Sequence, residues 1–145
     1  MGNINKPYKL NKMSKSKALL IGLNYSHIID ITHLTGCIND VKNMSEYISN
    51  LTNNNCNITI LTDEEKYKLE KVSWTGIYAA LFELCIESWS NDLNFVIFHY
   101  SGHGRQTKAL TCEYGFESNI IPKAPEYDNL DEGIVPIDYT KHGII

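Results

Sequence analysis

The sequence predicts an α/β domain built on a mostly parallel sheet, and three observations carry that prediction. Two segments, Lys17–Tyr25 (KALLIGLNY) and Phe95–Phe98 (FVIF), are short and strongly apolar, and the second has no polar interruption. Such runs suit strands covered on both faces, as in a parallel sheet. A third segment, Asn57–Leu61 (NITIL), alternates and is rich in β-branched residues, which reads as a further strand. Between these lie two stretches with helical spacing: Val41, Met44, Ile48 and Leu51, then Trp74, Ile77, Leu81, Leu84 and Cys85. The order β-α-β-α-β with short links implies parallel strands with helices packed over them.

Taken in order, residues 1–15 are polar with Pro7 and a Ser/Lys cluster, a flexible tail ahead of one domain at 16–145. After the first strand, Ser26–Thr35 reads as a loop whose Ile28, Ile29 and Ile31 fold against the body. Asn39 and Asp40 are residues suited to capping the first helix at its amino end. The polar stretch Thr52–Asn57 ends that helix, and Thr62–Lys71 is a charged surface linker. The second helix runs from Trp74 to about Ser88. Beyond Gln106 the periodicity weakens. Cys112–Ile121 is a hairpin or an irregular loop, Asp128, Asp131 and Glu132 fall in loop, and Gly133–Tyr139 (GIVPIDY) is a short extended piece.

Composition narrows the function classes. Of 145 residues, 43% are hydrophobic and 21% charged, ordinary for a globular domain. A net charge of -4 argues against nucleic acid or an anionic membrane as the main partner. No run is apolar for long enough to span a bilayer, and the amino terminus has no apolar core of a secretory signal. Lys6 stands where a myristoylation motif needs Ser or Thr. Four widely spaced cysteines (Cys37, Cys56, Cys85, Cys112) without an export signal read as reduced thiols of a cytoplasmic protein.

The chemistry concentrates in Phe95–Gln106, FVIFHYSGHGRQ. Ligands and catalytic groups in open α/β sheets gather beyond the carboxyl ends of strands. His103 lies there, between Gly102 and Gly104, and an imidazole takes and returns a proton near neutral pH. His99 and His103 have a spacing that binds zinc on a helix. The glycines argue against a helix, however, and no third ligand is evident, so His99 reads as a packed strand-end residue. The topology brings the start of the first helix to the same edge. Asp40 there is either a helix cap or the partner of a cationic substrate group. Cys37 is either a nucleophile paired with His103 or a small buried residue. No glycine-rich phosphate-binding motif is present.

Five segments together resemble the metacaspases, the caspase-like cysteine peptidases. They are KALLIGLNY (17–25), LTGCINDV (34–41), ILTD (60–63), FHYSGHGRQ (98–106) and DEGIVPIDY (131–139). Their order and rough spacing are those of the family, over about residues 17–145. The resemblance implies a caspase-like three-layer sandwich. It makes His103 the catalytic histidine and gives Gly104 the backbone N–H that meets the oxyanion of the tetrahedral intermediate. Asp40 would line an acidic pocket for Arg or Lys before the cut, with Cys37 and Ser101 as further pocket residues. A partly buried carboxylate suits that role because it can pair bidentately with a guanidinium. Calcium is implied as a cofactor, with Asp131 as the first carboxylate ligand, Asp128 and Glu132 beside it, and the others beyond residue 145.

The family's nucleophilic cysteine sits in a D-x-C-H-S-G segment on the next core strand after I-x-P-x-D-Y, and this sequence stops before it. Cys112 has none of that flanking pattern. The expectation is therefore a domain truncated before the catalytic-cysteine strand, inactive alone because a histidine base without a thiol cannot run covalent hydrolysis. Its partners would be a basic, Arg/Lys-containing peptide or protein substrate and a complementing carboxyl-terminal half. The competing expectation is a non-catalytic caspase-like module or decayed remnant. In either case the Phe95 strand becomes an uncovered apolar edge that recruits partners.

Overall fold

A computed structural model of the chain describes residues 16–90, 93–108 and 130–145. Strand β1 (Ser16–Gly22) is central, with β2 (Cys56–Thr62) and β3 (Val96–Ser101) parallel to it on either side. Leu20 thus lies between Ile60 on one neighbour and His99 on the other. Every residue of β1 is buried, and alternation divides its side chains between two cores. Leu19 and Ile21, with Leu23 just beyond the strand, pack with Val72, Ile77, Leu84 and Val135. Ala18 and Leu20 face the other way, onto Val41 and Ile48.

Helix α1 (Cys37–Leu51) supplies Val41 and Ile48, and α2 (Trp74–Ser90) supplies Ile77 and Leu84. The two helices therefore cover opposite faces of the sheet. At Gly22 the α1 backbone comes so near β1 that a Cβ would lie 2.5 Å from the Cys37 carbonyl oxygen. At the other end of β1, Lys17 is buried beneath α2, its Nζ 2.6 Å from Glu87 Oε2 and 3.8 Å from Glu83 Oε1. A buried ammonium needs such partners to offset its lost hydration.

Several expectations are corrected. Helix α1 begins at Cys37 with Gly36 as its cap, so Asn39 and Asp40 lie inside the first turn and do not cap it. Residues 62–71 are more than a solvated linker, since a 3₁₀-helix at Lys66–Val72 drives Val72 and Leu69 into the core. Within the 26–35 loop, Ile28 and Ile31 pack against the core, but Ile29 is 96% exposed. Among the described residues strand β3 is the edge expected of the Phe95 segment in this chain, with Val96 and Phe98 exposed.

Beyond β3 the chain forms an antiparallel hairpin of β4 (Gly104–Lys108) and β5 (Leu130–Ile134). Asp131 and Glu132 accordingly stand in a strand and not in a loop. A four-residue helix, α3 (Tyr139–His142), follows. Asp138 just before it accepts the Trp74 N–H at 2.7 Å, which fastens this segment to the start of α2. Asp128, Cys112 and the possible hairpin at Cys112–Ile121 lie outside the described residues, as does the 1–15 tail.

Candidate functional site

The site forms where β1 and β3 end. Past Gly22 the chain turns through Asn24 and Tyr25, and Tyr25 takes a left-handed φ of 59°. Asp63, 1% exposed just after β2, holds this turn. Its Oδ1 accepts the Asn24 N–H at 2.9 Å and its Oδ2 the Tyr25 N–H at 2.5 Å. The Asn24 side chain in turn accepts the Cys37 N–H at 3.0 Å, docking the amino end of α1 beside the turn. One buried carboxylate therefore anchors both the β1 turn and, through Asn24, the first turn of α1.

That first turn carries Cys37 and Asp40. Asp40 is exposed, and its Oδ2 accepts the Ser101 hydroxyl at 2.6 Å, joining α1 to the last residue of β3. Cys37 is buried, its N–H held by the Asn24 side chain. Two residues after Ser101, His103 places its Nε2 2.7 Å from the Thr32 carbonyl oxygen. A carbonyl only accepts, so Nε2 carries the proton and Nδ1 keeps its lone pair. Thr32 thereby fixes the tautomer of an imidazole whose other nitrogen is a base.

Gly104 opens β4 opposite Ile134. The flanking His103–Val135 pair is bonded, Val135 N–H to the His103 carbonyl at 3.1 Å, while Ile134 donates away from β4, to Ile145 at 2.9 Å. In an antiparallel ladder, bonded and non-bonded pairs alternate. Gly104 falls on a non-bonded pair, and its N–H points away from β5. His103 and Gly104 also line a hollow of about 210 Å³ with Ile31, Arg105, Val135 and Tyr139. A larger hollow of about 480 Å³ lies at the opposite, amino-terminal end of the strands, by Ser16, Lys17 and Cys56. It has no part in this arrangement.

Comparison with known proteins identifies the family. The family model for the metacaspase, peptidase C14 domain matches residues 16–145. The chain belongs to the metacaspases. It is 38% identical over 136 residues to Metacaspase-1 of Botryotinia fuckeliana, covering 93% of this chain and 29% of that protein. It is 39% identical over 136 residues to Metacaspase-1 of Ajellomyces capsulatus, covering 93% of this chain and 34% of that one. Metacaspase-1A of Aspergillus niger is 38% identical over 132 residues, 90% of this chain and 29% of its own length. The chain thus spans about a third or less of the curated relatives it matches. Its parallel sheet with helices is that of a caspase-like fold.

In this metacaspase, five of the six residues singled out from sequence (Cys37, Asp40, Ser101, His103, Gly104) gather at the carboxyl edge of β1 and β3. Asp131 does not join them. It pairs with Thr107, three positions along β4 from Gly104 and so roughly 10 Å farther out. Asp131 and Glu132 are consecutive on β5 and face opposite sides, and Glu132 accepts from Gln106 Nε2 at 2.8 Å. Calcium takes six to eight oxygens, and no cluster of three metal-ligating side chains occurs among the described residues. The described carboxylates do not by themselves fit a calcium cage. His99 is a half-buried β3 residue whose Nε2 is buried without a hydrogen-bond partner among the described residues.

Two contributors carried no role in the sequence reading. Asp63 follows a strand, where an aspartate ordinarily marks a turn. Its signal was present only as the last letter of the ILTD segment. Tyr25 and Tyr100 read as strand-end aromatics, and nothing in the sequence tells that their hydroxyls meet, 2.8 Å apart.

Proposed function

We propose that this chain carries the base half of a Cys–His endopeptidase that cleaves after Arg or Lys. The observation that carries the proposal is the His103 ring held on the Thr32 carbonyl through Nε2, which leaves Nδ1 as the proton acceptor. His103 takes the proton of a cysteine thiol, and the thiolate attacks the scissile carbonyl. The Gly104 N–H, turned away from β5, donates to the oxyanion that forms. Asp40, exposed at the same edge and braced by Ser101, receives the guanidinium or ammonium of the substrate, with Cys37 completing the wall behind it. In this reading Cys37 is a pocket residue, and the nucleophile comes from a complementing carboxyl-terminal half. Calcium has a place only if ligands outside the described residues join Asp131.

The test is complementation. Arg- and Lys-containing peptides offered to this chain alone, with calcium, are expected to give no turnover. Added together with a carboxyl-terminal half bearing the cysteine segment, the chain should cleave them. His103→Ala should abolish that cleavage. Asp40→Ala should cost cleavage after Arg and Lys at least about tenfold while leaving the unfolding midpoint nearly unchanged. Turnover by the chain alone, lost with His103→Ala, would sink the claim that the thiol is supplied from elsewhere. A second reading, a non-catalytic module, is favoured by the exposed Val96 and Phe98 on the β3 edge. It predicts partner binding that is indifferent to His103→Ala.

A further inference from the structure

The main chain of His103 is an unexpected meeting point. Glycines flank it on both sides, so its peptide has no side chains of its own neighbours to restrain it. Instead two phenols grip it. The His103 N–H donates to Tyr25 Oη at 3.1 Å, and the His103 carbonyl accepts from Tyr100 Oη at 2.9 Å. Tyr25 Oη donates its own proton to the Val135 carbonyl at 2.7 Å and lies 2.8 Å from Tyr100 Oη. The Tyr25 ring also packs on the imidazole, with centroids 4.9 Å apart and a tilt of 40°.

The grip is itself anchored. Tyr25 is fully buried, and its backbone is held in the left-handed conformation by Asp63. Both phenols are raised above the ordinary tyrosine value by burial first of all, so both stay protonated and able to donate. Gly102 is part of the same construction. A Cβ there would come 2.5 Å from Tyr100 Oη and 3.0 Å from Tyr25 Oη, so any larger residue would displace the hydroxyl pair.

We propose that Tyr25 and Tyr100 are positioning residues for His103: their paired hydroxyls clamp the N–H and C=O of the His103 peptide and so hold its imidazole on the Thr32 carbonyl. Neither phenol is a proton-transfer group in this scheme. They act on the reaction only through the tautomer and direction of the His103 ring. The inference rests on the reading of His103 as the base, but its test needs no peptidase activity.

The measurement is the long-range ¹H–¹⁵N spectrum of the histidine rings in the ¹⁵N-labelled chain, at a pH where imidazole is neutral, about 8. His103 is assigned by the signal lost in His103→Gln. The unsubstituted chain should show His103 as the single Nε2–H tautomer. Tyr25→Phe, which keeps the ring and removes the hydroxyl, should lose that single-tautomer pattern and bring the two ring nitrogens toward an averaged shift. Ile48→Val, a core substitution on the α1 side of the sheet, should lower stability and leave the pattern intact. Should Tyr25→Phe fail to fold, Tyr100→Phe carries the test with the same readout. Retention of the single tautomer in the folded phenylalanine variant overturns the proposal. A mixed pattern already in the unsubstituted chain overturns it as well, by removing the Nε2–Thr32 anchor, and takes the peptidase reading's geometric support with it.

Discussion

The phenols of Tyr25 and Tyr100 titrate above the ordinary tyrosine value of 10.0, because burial disfavours the phenolate. The sign of the consequence follows from proton linkage. In the native chain both hydroxyls keep their protons as the pH climbs past about 10, whereas in the unfolded chain they release them. Stability from this source is therefore fully present below about pH 10 and is lost as the pH rises above it. Denaturant midpoints measured across that range should fall with increasing pH, and fall less steeply in Tyr25→Phe. Tyrosinate absorbance should likewise show part of the nine tyrosines ionising only as the chain unfolds. An equal slope for both proteins would contradict the buried state of Tyr25. At this scale the sequence was legible where chemistry is local. His103 between two glycines announces a turn at a strand end, whatever surrounds it. Asp63 was not legible, because its importance lies in accepting two N–H groups from residues 38 and 39 positions earlier. No local pattern records such a meeting.

Helix α1 and strand β1 approach most closely at Gly22, where a Cβ would also lie 2.9 Å from Val41 Cγ2. Gly22→Ala must therefore push α1 outward or bend β1, an overpacking that costs about 1–3 kcal/mol. The shift would bear on the first turn of α1, so the Asp40–Ser101 hydrogen bond should weaken along with stability. Thermal unfolding checks the first effect and a crystal structure of the variant the second. The three parallel strands and both long helices were readable because each has an apolar face of the right period. Val41 and Ile48, and Ile77 and Leu84, mark the buried sides without help from tertiary context. The β4–β5 hairpin was not readable. All five residues of β4, Gly104–Lys108, are exposed, and the strand is made by its hydrogen bonds to β5, not by an apolar pattern. The 3₁₀-helix at Lys66–Val72 was hidden for a related reason, its charged residues outnumbering the Leu69 and Val72 that anchor it.

At the scale of the whole molecule, one side of the sheet is incompletely covered by the described residues. Helix α2 packs over β1, and on that face of β3 Tyr100 joins the core while Phe98 stays 45% exposed among the described residues. The flank of α2 itself shows Tyr78, Phe82, Ile86 and Trp89, the last 95% exposed. An open strand edge beside such residues favours association between chains. Sedimentation of the isolated chain should show self-association that rises with concentration and recedes in Phe98→Lys. A monomer at all concentrations would count against an adhesive edge. The same strand order has a consequence in time. Strand β1 is central, yet both strands that flank it are made after it, β2 next and β3 last. At a synthesis rate of about 5–20 residues per second, roughly 4–17 seconds separate the first residue of β1 from the last of β3. Through that interval the strand that ends up most deeply buried leaves the ribosome with one or both edges unpaired. A nascent chain of this kind is a natural client for a chaperone that shields exposed strands. Synthesis slowed between β2 and β3 should lengthen that exposure and lower the yield of folded protein.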